Sequence, residues 1–68
     1  MNLPGTICLP TAPRIAAGDA HRRLGWVRQQ AQYHRRSNGF PMTHRRRWID
    51  TSELAQWLGA HGVKVEWI

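Results

Sequence analysis

Short runs of hydrophobic residues near both ends of the chain predict β-strands. The run TICL at 6–9 is partly β-branched and is bounded by a glycine and a proline, which is typical of a short strand. The run VKVEWI at 63–68 alternates cleanly, so that Val63, Val65 and Trp67 share one side of a final strand. We therefore expect β-structure at both ends of the chain and mainly helices between them.

Between these runs the pattern predicts two adjacent helices. TAPRIAAG at 11–18 is expected to form a very short helix, with Thr11 as its N-cap and Gly18 just after its last turn. Asp19 can then cap a second helix that runs to about His34. Because only a tight turn fits between the two helices, the spacing is that of a helix-turn-helix.

The second predicted helix has an apolar stripe that we expect to face the core. Its members recur at i, i+4, i+7 and i+11 and are Ala20, Leu24, Val27 and Ala31. The opposite face carries Trp26 and Tyr33, which are also seven residues apart, so these two could be buried or could contact a partner. Gly25 is unfavourable within such a helix, by about 1 kcal/mol relative to alanine.

A turn and a basic strand follow. RRSNGFPMTH at 35–44 contains Ser-Asn-Gly and a proline, so it predicts a turn. RRRWI at 45–49 has the tryptophan and isoleucine of a strand. We expect residues 39–49 to form a β-hairpin or extended arm, a wing, that carries cations outward while Trp48 and Ile49 attach its base to the core.

A third helix is predicted to begin at DTSE, residues 50–53, which resembles a capping box with Asp50 in the usual serine or threonine position. The helix should end at Gly62. Three apolar residues share its inner face: Leu54, Trp57 and Leu58. The helical or alternating placement of three tryptophans predicts that they are core residues: Trp48, Trp57 and Trp67.

The charge of the 68-residue chain is unevenly distributed. Ten Lys and Arg against four Asp and Glu give a formal net charge of +6. Eight arginines and no acid lie between Ala20 and Arg47, and this segregation creates a directed positive field. Arginine recognises phosphate and guanine through paired hydrogen bonds. The composition therefore predicts a polyanionic partner.

Several classes of function are disfavoured by what the sequence lacks. Cys8 is the only cysteine, so no internal disulfide can form. Neither a signal peptide nor a run of about 18 apolar residues is present. The histidines and Cys8 lack the close spacing of a zinc site, and no catalytic pair or phosphate-binding loop occurs. We expect a single cytoplasmic, nucleoid-associated domain over residues 1–68 that is not an enzyme and needs no metal or cofactor.

The order of these motifs resembles the small winged-helix excisionases and the related AlpA-like and MerR-like regulators of phages and mobile elements. The segments that carry the resemblance are WVRQQ at 26–30, GFP at 39–41, RRRWI at 45–49 and SELAQWL at 52–58. It implies a small α+β winged helix-turn-helix: a short N-terminal strand, two helices, a basic β wing, a third helix and a C-terminal strand. It also implies binding of double-stranded DNA, with the second helix in the major groove and the wing along the minor groove or backbone.

The candidate DNA-binding residues fall into two groups. Arginine and glutamine suit guanine and adenine edges in the major groove, and the helical group is Arg22, Arg23, Arg28, Gln29, Gln32 and Arg36. Basic residues of the wing suit phosphates or a narrow minor groove, and this group is Ser37, Asn38, Thr43, His44, Arg45, Arg46 and Arg47.

In excisionases, several copies bind side by side, bend the DNA and contact the integrase, which favours excision. The resemblance therefore implies a phage integrase and further copies of the chain as partners, and the strand at 63–68 offers an edge for pairing between copies. A transcription regulator of the AlpA type, bound to a single operator, is the nearest alternative. An RNA-binding protein or a protein-interaction module is an alternative of another class.

Overall fold

The structure, a computed structural model, describes residues 3–41 and 47–68. Within these ranges the chain is a small α+β fold, with three helices and four strands in two separate two-stranded sheets. Its helices there are all too short or too polar to cross a membrane. In chain order the elements are β1 Thr6–Leu9, β2 Arg14–Ala16, α1 Ala17–Leu24, α2 Arg28–Ser37, β3 Trp48–Asp50, α3 Thr51–Ala60 and β4 Lys64–Trp67.

The two sheets join distant parts of the chain. β1 and β4 pair in parallel, with Ile7 opposite Val65. β2 and β3 pair antiparallel, with Ile15 opposite Ile49. Alternate side chains of a strand face the same side, and Ile7, Ile15 and Ile49 are buried. The strands predicted from both terminal runs are confirmed, the C-terminal one as Lys64–Trp67.

The short helix predicted at 11–18 is wrong. Arg14–Ala16 forms β2 instead, and α1 begins at Ala17. Because the first turn of a helix is costly to nucleate, a helix of two turns has little to hold it. The extended conformation, in contrast, pairs with β3 and places Ile15 in the core. Asp19 consequently lies in the first turn of α1 and does not cap it.

The long second helix is also wrong, because it breaks at Gly25 into α1 and α2. Gly25 has a φ of 73°, in the left-handed region that glycine enters without steric cost. Its N–H donates to the Arg22 carbonyl at 3.1 Å, and the Trp26 N–H donates to the His21 carbonyl at 2.9 Å. These are the two hydrogen bonds of a Schellman motif. The turn between the two helices therefore comes later in the chain than predicted, at residues 25–27.

Burial of the first two helices follows the predicted apolar stripe in part. Three of its four members are buried: Ala20, Leu24 and Ala31. Val27 is exposed because it lies in the turn, one residue before α2 begins. Trp26 is buried, whereas Tyr33 is 60% exposed. These two aromatic residues, which the helical pattern treats alike, thus have opposite environments.

An aromatic cluster joins α2 to α3, and its members are Trp26, His34, Phe40 and Trp57. The rings of Trp26 and His34 stack with centroids 4.3 Å apart and planes 11° apart. Phe40 meets Trp57 edge to face, at 5.0 Å and 83°. Stacked and edge-to-face pairs are the arrangements that aromatic rings prefer. The cluster therefore fixes α2, the turn before it and the segment after it against α3.

The third predicted helix is confirmed as α3, with its three predicted inner residues buried. The capping box at its start does not form, because the Asp50 side chain makes no capping hydrogen bond. The Asp50 Oδ1 atom lies 3.4 Å from Arg14 Nε on β2 instead. The Thr51 N–H donates to the Pro13 carbonyl at 3.1 Å. The start of α3 is thus tied to the β2 segment rather than capped by its own residues.

Two of the three tryptophans predicted in the core are partly exposed. Trp57 is buried, but Trp48 is 46% and Trp67 50% exposed. In β3 the neighbouring Ile49 takes the inward position, so alternation turns Trp48 outward. In β4 burial falls along the strand from the preceding Val63, because the end of β4 extends past the core.

The predicted turn and wing lie partly outside the described residues. α2 continues to Ser37, so the first part of the segment at 35–44 is helical rather than a turn. The chain leaves the helix through Gly39, whose φ is 68°. Residues 42–46, most of the predicted wing, fall outside the described residues. The strand of the predicted arm is present as β3, but it pairs with β2.

Candidate nucleic-acid interface

Helix α2 has a buried side and a polar, basic side. Ala31 and His34 are its buried residues. With successive residues about 100° apart around the axis, the exposed residues fall on one arc on the opposite side. This outward face consists of Arg28, Gln29, Gln32, Tyr33 and Arg36. No acid occurs anywhere in α2, so the outward face offers hydrogen-bond donors and positive charge without internal neutralisation.

The buried side of α2 is held at both ends. At the start, the Gln30 side chain accepts a hydrogen bond from the Val27 N–H at 2.9 Å. At the end, the Asn38 side-chain amide lies 2.8 Å from His34 Nδ1. The Trp57 indole N–H donates to the Asn38 carbonyl at 2.8 Å. The first two contacts close the ends of α2, and the Trp57 hydrogen bond ties its C-terminal end to α3. With the stacking of His34 on Trp26, this bond sets the orientation of the outward face.

The surroundings of the two histidines behind α2, His21 and His34, lower their pKa values and so favour the neutral form. Burial lowers the pKa of His34, and His61 lowers it further. Burial also lowers the pKa of His21, with an added contribution from Arg35. A neutral imidazole can stack on Trp26 and accept a hydrogen bond from the Asn38 amide, which an imidazolium Nδ1 cannot do. Protonation of His34 Nδ1 would therefore remove the acceptor for the Asn38 amide.

Of the helical candidates, Arg28, Gln29, Gln32 and Arg36 lie together on the outward face, whereas Arg22 and Arg23 lie on α1. Both α1 arginines contact Asp19. Arg23 donates from Nε to Asp19 at 3.0 Å and from Nη1 to the Cys8 carbonyl at 3.0 Å. Arg22 approaches Asp19 only at 3.6 Å, and its side chain is 79% exposed against 29% for Arg23.

Arg23 is thus used in holding α1 to β1, while Arg22 keeps most of its surface accessible. Both residues belong to the last turn of α1, where positive charge is favourable beside the helix dipole. Arg22 lies three residues before Gly25, where the turn into α2 begins, and its exposed guanidinium adds positive charge to α1.

Of the wing candidates in the described residues, Ser37 and Arg47 are exposed, and Asn38 makes hydrogen bonds within the fold. Ser37 is exposed at the end of α2, but the side chain and carbonyl of Asn38 are engaged with His34 and Trp57. Arg47 is exposed next to β3, and its carbonyl accepts the Ala17 N–H at 2.7 Å. The remaining candidates lie outside the described residues: Thr43, His44, Arg45 and Arg46.

Tyr33, for which the sequence left both burial and contact with a partner open, also lies on the outward face. It lies one helical turn after Gln29 and three residues before Arg36, and it is 60% exposed. Its spacing of seven residues from Trp26 placed both residues on the same side of one predicted helix. The available signal was Gly25, because a helix that restarts after that glycine no longer shares its phase with residues before the break.

The outward face carries groups that form hydrogen bonds and ion pairs. Among the described residues, no group of histidine, cysteine, aspartate and glutamate is arranged to hold a metal ion. The outward face instead combines two glutamine amides, two guanidinium groups and a phenol ring. No protein-family model, curated protein or solved structure matches this chain. The resemblance to winged-helix excisionases and regulators therefore stays a prediction.

Proposed function

We propose that this protein binds double-stranded DNA in a sequence-specific manner, with α1, the Gly25 turn and α2 acting as a helix-turn-helix. In this proposal α2 is the recognition helix and lies in the major groove. The observation that carries the proposal is the acid-free outward face of α2, which is held rigidly from behind by the aromatic cluster.

The dimensions of α2 support this placement. A helix of ten residues is about 15 Å long and, with side chains, about 10–12 Å wide, and the major groove of B-DNA is about 12 Å wide. Gln29 and Gln32 can each make paired hydrogen bonds to adenine, and Arg28 and Arg36 can bind guanine or phosphate. The face thus combines sequence reading with neutralisation of the DNA backbone.

The wing is assigned to the DNA backbone or to a narrow minor groove. Arg47 is exposed at the base of β3, and Arg45 and Arg46 directly precede it in the sequence. Basic residues next to a recognition helix bind phosphates and fix the register of the protein on the duplex. Arg22, at the end of α1, is expected to contact the backbone on the other side of α2.

Binding should depend strongly on salt. If about five phosphates are neutralised, the logarithm of the association constant should fall with the logarithm of the salt concentration with a slope near −4.5. Fluorescence anisotropy with a labelled duplex at several salt concentrations measures this slope. Arg28→Ala and Arg36→Ala should each make the slope shallower by about one. Lys64→Ala is the matched control, because it removes one exposed cation from β4, which belongs neither to the proposed helix-turn-helix nor to the wing.

The same titrations, repeated with RNA, test two alternatives to DNA binding: an RNA-binding protein and a protein-interaction module. A protein that prefers single-stranded or double-stranded RNA to duplex DNA would contradict the proposal in favour of RNA binding. Binding to DNA that is insensitive to salt and sequence, or no binding, would favour a protein-interaction module.

For the biological role we propose an excisionase, a recombination directionality factor of a prophage or integrative element that assists a phage integrase. The support is the resemblance of the motifs, the small size and the basic character of the chain. A pull-down of sheared source-genome DNA at about 150 mM salt, followed by sequencing, tests this role. Short repeated sites beside an integrase attachment region would support it, whereas a single peak at a promoter would support an AlpA-like regulator.

Self-association on DNA is part of the excisionase proposal. β4 pairs with β1 on one side, and its other edge is the candidate for pairing between copies. Val63, directly before β4, is buried, so deleting residues 63–68 would disturb the core as well as the edge. The N–H groups of Lys64 and Ile68 donate to carbonyls in or directly before β1, so by alternation the Trp67 N–H faces the other edge. A proline in place of Trp67, which is half exposed, is therefore a more selective change. It should reduce cooperative binding to an array and spare binding to a single site if the free edge is used.

A further inference from the structure

We infer that Tyr33 is a specificity-determining residue that contacts the C5-methyl group of a thymine in the major groove. This inference rests on the proposed DNA-binding function and specifies what the outward face of α2 reads. On that face, Tyr33 is the one large, partly apolar side chain, and the other side chains are amides and guanidinium groups.

The ring of Tyr33 is supported from behind. Its centroid lies 5.3 Å from that of His34, with the planes at 78°. His34 is itself buried and stacked on Trp26. The edge-to-face contact restricts the orientations of the Tyr33 ring while leaving 60% of the residue exposed. A restricted ring loses little conformational entropy on binding, which favours its use in recognition.

In the major groove, the base edges offer an apolar ring one apolar group, the C5-methyl group of thymine. Guanine, cytosine and adenine present hydrogen-bond donors and acceptors there, and thymine adds the C5-methyl group. Within an intact duplex the base faces are stacked and inaccessible, so Tyr33 cannot stack on them. A ring on a helix that lies in this groove is therefore matched to thymine.

The spacing to Gln29 extends this assignment. Four residues of helix correspond to about 6 Å along the axis, and base pairs are about 3.4 Å apart. If Gln29 binds an adenine, Tyr33 reaches a thymine about two base pairs away. The two residues would together select a site with A·T pairs at these two positions.

The test uses a DNA site selected from random duplexes by the full chain. Each thymine of this site is replaced in turn by deoxyuridine, which removes only the methyl group. For the unmodified protein, one replacement should reduce affinity about fourfold, the effect expected for one methyl group kept from burial. Tyr33→Phe keeps the ring and should show the same sensitivity at the same thymine.

Tyr33→Ala completes a double-mutant cycle that pairs the Tyr33 ring with the thymine methyl group. It should bind the thymine-containing site about fourfold less tightly than the unmodified protein, and the deoxyuridine replacement should then cause no further loss. Because Tyr33 is 60% exposed, this variant should keep the helical circular dichroism of the unmodified protein, with a modest fall in the thermal midpoint from the lost contact with His34. A flat deoxyuridine scan, or equal sensitivity in Tyr33→Ala, would overturn the assignment.

The selection of a DNA site distinguishes a failure of the proposed DNA binding from a failure of the Tyr33 assignment. A protein that selects no duplex sequence would overturn both DNA recognition and the role of Tyr33. A protein that selects a sequence but shows no coupling between Tyr33 and a thymine methyl would overturn the Tyr33 assignment alone.

Discussion

Helices α2 and α3 have the same length, ten residues, but opposite distributions of polarity. α3 buries four residues, including Leu54, Trp57 and Leu58, whereas α2 buries only Ala31 and His34. α3 is therefore held by its own apolar surface. α2 is held by contacts at its two ends and by the aromatic cluster, which leaves its outer surface exposed. The comparison separates residues that maintain the fold from residues that present charge.

The largest expected effect comes from removing the centre of the α3 contact. Trp57→Ala removes the contacts of the Trp57 indole with the rings of Trp26 and Phe40, and it removes the hydrogen bond from this indole to the Asn38 carbonyl. A loss of about 3–5 kcal/mol in the free energy of unfolding is expected, which a domain of this size can hardly tolerate. Urea denaturation measures it, and Trp48→Ala, at a half-exposed tryptophan, is the control with a much smaller loss.

A substitution on the outward face of α2 should weaken DNA binding and leave the stability of the fold almost unchanged. Gln29→Ala should weaken binding to the selected DNA site by about 1–3 kcal/mol, if Gln29 makes paired hydrogen bonds to a base. The free energy of unfolding should change by less than about 0.5 kcal/mol, because Gln29 is exposed. Titration calorimetry and urea denaturation report the two quantities separately. Equal losses in both would show that α2 is a structural helix like α3.

The turn between α1 and α2 gives a third test. Gly25→Ala should destabilise the protein by about 1–2 kcal/mol, because alanine is strained at a φ of 73°. Gly59, within α3, has a helical backbone and nothing within 4 Å of the position of an added Cβ atom. Gly59→Ala is therefore the matched control and should stabilise the protein by about 0.5–1 kcal/mol. Changes of the same sign in thermal unfolding would contradict the assigned role of Gly25.

The smallest expected effect is a dependence on pH. Because burial lowers the pKa values of His21 and His34 below their usual 6.5, the unfolded chain binds more protons than the folded one at mildly acidic pH. The stability contributed by the neutral rings is present above about pH 6.5 and is lost as the pH falls toward the lowered pKa values. Denaturation at pH 7.5 and 5.5 should show this loss.

Replacing His34 by glutamine provides the control for the pH experiment. The variant should be less stable at neutral pH, because it lacks the ring that stacks on Trp26. Its stability should also change less between the two pH values. An undiminished pH dependence in this variant would mean that His34 does not contribute to it.

The sequence was sufficient where local pattern and tertiary packing agree. The strand TICL, the inner face of α3 and the C-terminal strand follow directly from alternation or helical spacing. The basic surface was also predictable, because the absence of acids between Ala20 and Arg47 is a property of the sequence alone. Of the helical candidates, the four on α2 share one face.

Sequence patterns failed where a partner elsewhere in the chain decides the structure. β2 is a strand because β3 pairs with it, and no local signal at 14–16 contains that information. Trp48 and Trp67 are apolar and correctly spaced, but Ile49 occupies the inward position in one strand and the core ends beside the other. The aromatic cluster combines residues from α2, the turns on either side of it and α3. For that reason the opposite environments of Trp26 and Tyr33 could not be read from their spacing.

The parallel pairing of β1 with β4 has a consequence for synthesis of the protein. Thr6 lies opposite Lys64, so β1 leaves the ribosome well before β4 and has to wait for its partner while the helices are translated. Pairing across such a separation in sequence slows folding. During translation, the exposed edge of β1 therefore depends on the rapid arrival of β4, or on a chaperone, to avoid pairing with another nascent chain.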